Sequence, residues 1–302
     1  MTRKRLFAAV ALALAAAGCS RTPPGEALAL AEQAVAGGDA AAAVEPLKAV
    51  TRAFPDSWEA FYNLGSARLA AGLPAEAVPA LAKAAKLAAG TEETRPLEAL
   101  AAAQRLSGDP DGAYFTLKAV EEKVYRKPWL LASLAAVELD RGNPGSAKAY
   151  LADALEIDEG EPVALFNRAV LFSRPGADYD HAAAARDLAA FVFSTRASQY
   201  PEMQAEAVRR MAALDASRPD SVTEKLDMLL LAAHDSRRTL GERLVKAADA
   251  VKADWSSPTA LAWYIQLLRE QGDKRLAELN AGRGRILFPG DARFAAKAAE
   301  AR

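Results

Sequence analysis

The chain has 302 residues, 51% of them hydrophobic and 25% charged, an ordinary balance for a folded globular protein. Lys and Arg number 38 against 39 Asp and Glu, so no strong net field exists and nucleic acid is not an expected partner. A single cysteine excludes an internal disulfide.

The first residues, MTRKRLFAAVALALAAAGC, form a targeting segment rather than part of a fold. Arg3, Lys4 and Arg5 make a positive start, and Leu6 to Ala17 is an apolar run too short to span a bilayer. Ala16-Ala17-Gly18-Cys19 resembles the bacterial lipobox, with Ala16 where Leu is usual. That resemblance implies that residues 1–18 are a lipoprotein signal peptide and that Cys19 receives lipid and becomes the first mature residue. Residues 19–23 are then the lipidated cysteine and a spacer, drawn from the stiff stretch SRTPPG at 20–25. Ser20 after the cysteine resembles the sorting signal that favours the outer membrane. The expected location is the bacterial cell envelope, lipid-anchored and facing the periplasm.

Beyond the anchor, the chain is organised around Trp58 to Ala89. Phe61, Leu64, Gly65 and Arg68 fall on one side of a first helix. Gly65 costs about 1 kcal/mol against Ala inside a helix, so close approach of a second helix is its expected reason. Gly72 ends the first helix and Pro74 opens the second, whose inner stripe is Ala77, Leu81 and Ala84. The pattern recurs about every 34 residues. Upstream it places Leu30, Gly38-Asp39, Ala43, Leu47 and Val50; downstream, Leu100, Gly108-Asp109, Ala113 and Leu117; then Leu131, Leu134, Gly142-Asn143, Ala147 and Leu151. Leu165, Ala169, Phe172, Gly176 and Ala182 follow, and Leu261, Tyr264, Leu268, Gly272-Asp273 and Ala277 return to the frame. Leu230, Leu231, Ala247 and Ala250 keep the rhythm without the glycine.

Capping chemistry marks the boundaries. Ser57, Asp109-Pro110, Asn143-Pro144 and Ser257-Pro258 each suit a helix start, and Ser221 with Glu224 has capping-box spacing. No segment alternates long enough to compete as a strand. From Phe191 to Asp220 the frame is lost, although Gln199 to Leu214 still predicts a helix with Met203, Ala207, Met211 and Leu214 on one side. The expected layout is an N-terminal array of about five repeats over 24–195, a linker helix at 196–220, and a C-terminal array over 221–302, either stacked or bent apart. Asp291 to Arg302 suits a capping helix.

Phe61, Leu64-Gly65, Ala77 and Leu81 resemble the tetratricopeptide repeat, with Arg68 and Ala89 departing from its usual Tyr and Pro. The resemblance implies an all-α fold, a right-handed α-solenoid of helix-turn-helix repeats whose first helices line a groove. Matching positions give Tyr62, Asn63, Ser66 and Leu69; Glu98 and Arg105; Trp129, Ser133 and Ala136; Phe166, Asn167 and Val170 as groove candidates, with Trp263 and Gln266 in the C-terminal array. Asn63 and Asn167 fall where peptide-binding members hold a ligand backbone, or they serve neighbouring backbone groups alone. Trp129 and Phe166 suit either the groove or packing between repeats, and Trp255 an inter-repeat turn.

No catalytic motif is present. His181 and His234 lack partners at metal-ligand spacing and are expected at the surface or in the groove. Gly282-Arg283-Gly284-Arg285 follows no strand and is expected at a helix end. The Glu92-Glu93 and Asp158-Glu159-Glu161 clusters are expected to be solvated. No enzyme activity, cofactor or small-molecule substrate is expected. The function implied by the resemblance is a membrane-tethered adaptor that binds a protein or extended peptide segment during envelope-complex assembly. The alternative is an accessory subunit that assembles through its outer, Ala-rich helix faces as a permanent complex or homodimer.

Overall fold

A computed structural model of the chain describes residues 40–194 and 196–295, with Ala29 as an isolated position. The expected signal peptide, Cys19, the spacer, Leu30, Gly38-Asp39 and residues 296–302 lie outside the described residues. Every regular element among the described residues is helical. The chain divides into two compact units, one ending at Ala147 and the other beginning at Lys148.

In the first unit, α1 (Ala40–Ala53), α2 (Trp58–Ala70), α3 (Pro74–Leu87), α4 (Arg95–Leu106), α5 (Pro110–Lys123) and α6 (Pro128–Asp140) pack each against the next. Helix α7 (Pro144–Ile157) runs across the boundary between the units. First helix α2 also packs directly on first helix α4, as neighbouring repeats require.

One turn geometry joins each first helix to its second. Gly72 has φ +74° and Gly108 φ +87°, left-handed values that a side chain disfavours. The Gly72 N–H donates to the Leu69 carbonyl at 2.9 Å and the Leu73 N–H to Arg68 at 2.8 Å. This pair of bonds satisfies the last carbonyls of α2 and points the chain back for α3. The same two bonds recur from Gly108 and Asp109, and from Gly142 and Asn143. Arg68 reinforces the first turn, donating through Nη1 to the Glu76 carbonyl at 2.8 Å.

The interior of each pair is built from small residues. Ala60 and Ala67 on α2 face the stripe of Ala77, Leu81 and Ala84 on α3, and all are fully buried. The expected reason for Gly65 holds: a Cβ there would lie 2.3 Å from Leu81 Cγ.

The second unit contains α8 (Pro162–Phe172), α9 (His181–Phe193), a 3-10 turn (Ala197–Gln199), α10 (Pro201–Ala216), α11 (Asp220–His234), α12 (Leu240–Ala253), α13 (Pro258–Gln271), α14 (Lys274–Leu287) and a last 3-10 turn (Ala292–Phe294). Its packing is not purely between neighbours, because α14 returns to α9 and α10. The helix expected over Gln199–Leu214 is α10, starting at Pro201, with Ala207, Met211 and Leu214 buried and Met203 half-buried. The Gly-Asp turn reappears between α13 and α14, where Gly272 has φ +90° and donates to Arg269 while the Asp273 N–H donates to Leu268.

Three local expectations change. The capping box belongs to α12, where Thr239 and Glu242 exchange side-chain and backbone bonds of 2.8 and 3.3 Å. Ser221 instead lies inside the first turn of α11, which begins at Asp220 after Pro219. Gly282 to Arg285 lies within α14, which runs on to Leu287. A Cβ on Gly284 would come within 2.3 Å of Phe294, so this glycine admits the closing aromatic. At Ala292–Phe294 the chain forms a 3-10 turn where the start of a capping helix was expected, because Asp291 caps it and Phe294 turns inward, only 2% exposed.

Gly65→Ala should overpack α2 against α3 and cost on the order of 1–3 kcal/mol in urea unfolding. Combining it with Leu81→Ala should cost less than the two single losses together, since the clash then has no partner. Strict additivity would show that Gly65 does not face Leu81.

Candidate protein-binding surface

The first-helix surface of the first unit starts with aromatic rings. Trp58 and Tyr62 lie one helical turn apart on α2, with ring centroids 6.2 Å apart. The Arg95 guanidinium, from the start of α4, sits 5.3 Å from the Trp58 ring and 5.8 Å from Tyr62. A delocalised cation over aromatic faces is an attractive geometry, and here it ties the first-helix row together. Arg95 Nε also donates to Glu93 at 2.8 Å. That hydrogen bond leads the lowering of the Glu93 carboxyl to about 2. Glu93 is therefore paired, not simply solvated as expected.

Tyr62 and Leu69 pack onto the cluster formed by Ala77, Leu81, Leu100 and Ala103, leaving one side of each partly open. Ser66 is half-buried and Asn63 is 8% exposed. Glu98 is half-buried on α4, and Arg105 reaches Asp140 of α6 at 3.0 Å. On α6, Trp129, Ser133 and Ala136 are half-buried, and Ser133 Oγ donates to the Trp129 carbonyl at 2.8 Å. The expected residues of this unit thus share the first-helix row, and Asn63 is the least accessible of them.

Phe166, Asn167 and Val170 sit on α8, in the second unit. Phe166 meets Phe191 edge to face at 5.5 Å, a packing role, and Asn167 is 9% exposed. Val170 is half-buried. Next to Asn167, Arg168 holds the buried Asp187 carboxylate with two bonds of 2.6 and 3.0 Å.

Trp263 and Gln266 stand on α13. Trp263 stacks flat on His234, centroids 3.7 Å apart and planes 7° apart, and Gln266 donates to Glu270 at 3.2 Å. Both line a cleft of about 450 Å³ shared with Arg269 and Arg293. Trp255 packs its edge on Phe193 at 5.7 Å in the turn before α13, as expected for an anchor.

His181 departs from expectation. It is 3% exposed, not at the surface, while His234 is exposed. Its Nε2 lies 3.2 Å from Asp254 Oδ1 and 3.4 Å from Ser256 Oγ, and Ser256 Oγ donates to the same Asp254 oxygen at 2.6 Å. Arg218 bonds the other Asp254 oxygen. The sequence hides this because its members come from the start of α9 and the turns before α11 and α13, which only tertiary packing brings together. Ser, His and Asp here do not form a nucleophile relay: both partners occupy one ring nitrogen, and Ser256 is fully buried. Burial pushes the Asp254 carboxyl up, but hydrogen bonds from His181, Ser256 and Arg218 outweigh it and hold the group far below the usual carboxylate range.

In the second acidic cluster Asp158 and Glu161 are paired, whereas Glu159 is exposed as expected. Arg196 bonds Asp158 at 2.9 Å and approaches Glu161 at 3.6 Å. Burial raises the Glu161 carboxyl, whereas the Arg196 bond lowers Asp158. Among the described residues no three His, Cys, Asp or Glu side chains are placed to hold a metal ion.

The paired helices, the repeated glycine turns and the Gly65–Leu81 contact decide the fold. It is a tetratricopeptide-type helical array. No protein-family model and no curated protein matches the chain. Among solved structures it is similar to a chain of the APC/C hetero-tetramer Cut9–Hcn1, at 10% identity and TM-score 0.47, covering 97% of this chain and 52% of that one. The chain thus spans about half that relative's length. It is also similar to a thermophilic tetratricopeptide-repeat protein of Thermus thermophilus, at 23% identity and TM-score 0.47 over 60% and 95% of the two chains. PilF of Pseudomonas aeruginosa aligns at 15% identity and TM-score 0.46 over 97% and 96%.

Arg95, Arg269 and Arg293 were not among the sequence candidates. Arg269 follows Trp263 and Gln266 at three-residue steps and was legible from helical spacing. Arg95 and Arg293 reach their places through tertiary packing alone.

Replacing Asp254 by Asn should cost about 3 kcal/mol at neutral pH, because Arg218 and His181 would lose a buried carboxylate. A lowered carboxyl contributes stability that is present above the unfolded value of about 3.9 and is lost as pH falls through the folded value. Urea unfolding should therefore show a smaller gap between the variant and the parent at acidic pH than at neutral pH. A gap that widens in acid would contradict this charge assignment.

Proposed function

We propose that the chain is a membrane-tethered scaffold that holds a protein or extended peptide segment against its first-helix surfaces. The observation that carries this reading is the row of Trp58, Tyr62 and Arg95, where two first helices meet and aromatic faces stay partly open. A rigid, already ordered row of this kind limits the ordering cost of binding an extended segment. The second helices turn their alanines inward for pairing, and the outer face of α5 leaves Phe115 exposed.

The tether is the lipid expected on Cys19. No helix among the described residues is long and apolar enough to cross a membrane. Acyl chains on one cysteine, each buried methylene contributing about 0.8 kcal/mol, would hold the scaffold at the envelope. The LAAAGC context of Cys19, followed by Ser20, supports an outer-membrane, periplasm-facing location and a role in assembling envelope complexes.

Cys19→Ser should shift the protein from the membrane to the soluble fraction; unchanged membrane fractionation would remove the tether from the proposal. Changing Tyr62, Ser66 and Trp129 together to Ala should abolish crosslinked partner capture from the native envelope while helix content by circular dichroism stays intact. All three are more open than Asn63 and Asn167. Equal capture by the variant and the parent would move the interface off the first-helix row.

A further inference from the structure

Exposed apolar side chains are scattered over the described residues, and single ones call for no explanation. Met228 and Leu231 differ. They are 70% and 71% exposed and stand one turn apart on α11, the only two exposed large apolar side chains so placed on one helix among the described residues. Helical spacing sets them opposite the inner face of α11, where Leu226 and Ala233 are buried in clusters shared with α12 and α13. In a continuous stack a preceding repeat would pack beside α11. Here α10, the helix before it in the chain, packs on α9 and α14 instead, and the outer face of α11 stays open.

Charge along the same helix is polarised. Asp220, Glu224 and Asp227 are exposed on its first half, with Lys225 as the one cation among them. At the other end, Arg237 and Arg238 project from the turn that closes the helix. Asp235 is the one carboxylate in that turn, bonded by Arg237 Nε at 2.9 Å, and the Arg237 side chain is still 90% exposed. One end therefore has a surplus of carboxylates and the other a surplus of guanidinium groups.

Such a face is complementary to itself when turned end for end. About a two-fold axis passing between Met228 and Leu231, each Met228 meets the second copy's Leu231. Glu224 then falls opposite the turn that carries Arg237 and Arg238. A parallel pair would set acid on acid. We propose that α11 is a self-association surface on which a second copy of this chain docks antiparallel, apolar pair on apolar pair and acidic start against arginine turn. The proposal uses neither the Tyr62 row nor the lipid tether. One helix face is a small interface, so the dimer should be weak, with a dissociation constant on the order of 10 μM.

Sedimentation velocity of the purified chain over a concentration series is the test. The parent should pass from monomer to dimer between about 1 and 100 μM. Met228→Ser with Leu231→Ser should weaken the dimer about tenfold or more, with helix content by circular dichroism intact because both positions are exposed. Glu224→Arg with Asp227→Arg should weaken it too, as should Arg237→Glu with Arg238→Glu. Mixing these two charge variants should restore a dimer, since each reversed end then meets its opposite. If the arginine-turn variant does not fold, the quadruple charge variant is replaced by Glu224→Arg with Asp227→Arg alone, whose undiminished dimer would count against the pairing. A parent that stays monomeric to about 100 μM, or a dimer indifferent to the serine pair, overturns the proposal. So does a dimer that needs Met228 and Leu231 but is not restored by mixing the folded charge variants. A monomeric parent whose envelope partner capture is lost with the serine pair would give the face to a different protein and also overturn it.

Discussion

Close approach of helices is the constraint on which this structure depends. Ala60, Ala67, Ala77 and Ala84 are fully buried at one pair, and Ala103, Ala113, Ala147 and Ala154 recur at corresponding depths along the chain. Side chains this small let backbones come near enough for dispersion contacts to accumulate, although each alanine removes little apolar area from water. The chain therefore obtains its cohesion from many tight, similar interfaces rather than one large core. The geometry tolerates little extra volume, as the position of Leu81 over Gly65 makes plain.

The second unit adds a different kind of specification. Its last long helix returns to α9 and α10, and a nearest-neighbour stack would not demand that. Two contacts accompany the return. Arg283 of α14 lies 4.8 Å over the Phe193 ring of α9, and the His181–Asp254–Ser256–Arg218 cluster joins the start of α9 to the turns before α11 and α13. A buried ion cluster adds little net stability, but an arrangement that separates its members leaves a buried charge unpaired, which costs several kcal/mol. The apolar contacts favour compactness in general, and the polar cluster penalises wrong compact arrangements.

The sequence was most legible where structure is local. The helix pairs, the Gly72, Gly108, Gly142 and Gly272 turns, the reason for Gly65 and the caps at Ser57, Asp109 and Ser257 all follow from spacings within one repeat. Legibility failed where distant residues decide the outcome. His181 carries no sign of burial because its partners lie more than seventy positions away. Asp158 and Glu161 look solvated until Arg196, from beyond α9, arrives beside them. Ser221 and Glu224 had the right spacing for a capping box, but Pro219 and Asp220 start the helix earlier and Thr239 with Glu242 forms the box instead. Of the first-helix candidates, the repeat register placed Tyr62, Ser66 and Trp129 on partly open faces. It could not foresee how deeply Asn63 and Asn167 sink, because that depends on the neighbouring helices.

Charge has the same local and distant aspects. A formal net charge of −1 suggests an electrically featureless chain, yet that total is a poor guide to any one surface. On the first-helix row of the first unit, Arg95 is held by Glu93 and two aromatic rings, and Arg105 by Asp140. Those cations stiffen the surface and have little charge left to offer. Along α13 and α14, Arg269 and Lys274 face solvent with no carboxylate paired to them among the described residues. Leaving an exposed cation unpaired costs the fold almost nothing, because surface ion pairs contribute only about 0–1 kcal/mol. Stability therefore puts little pressure on where such charges stand.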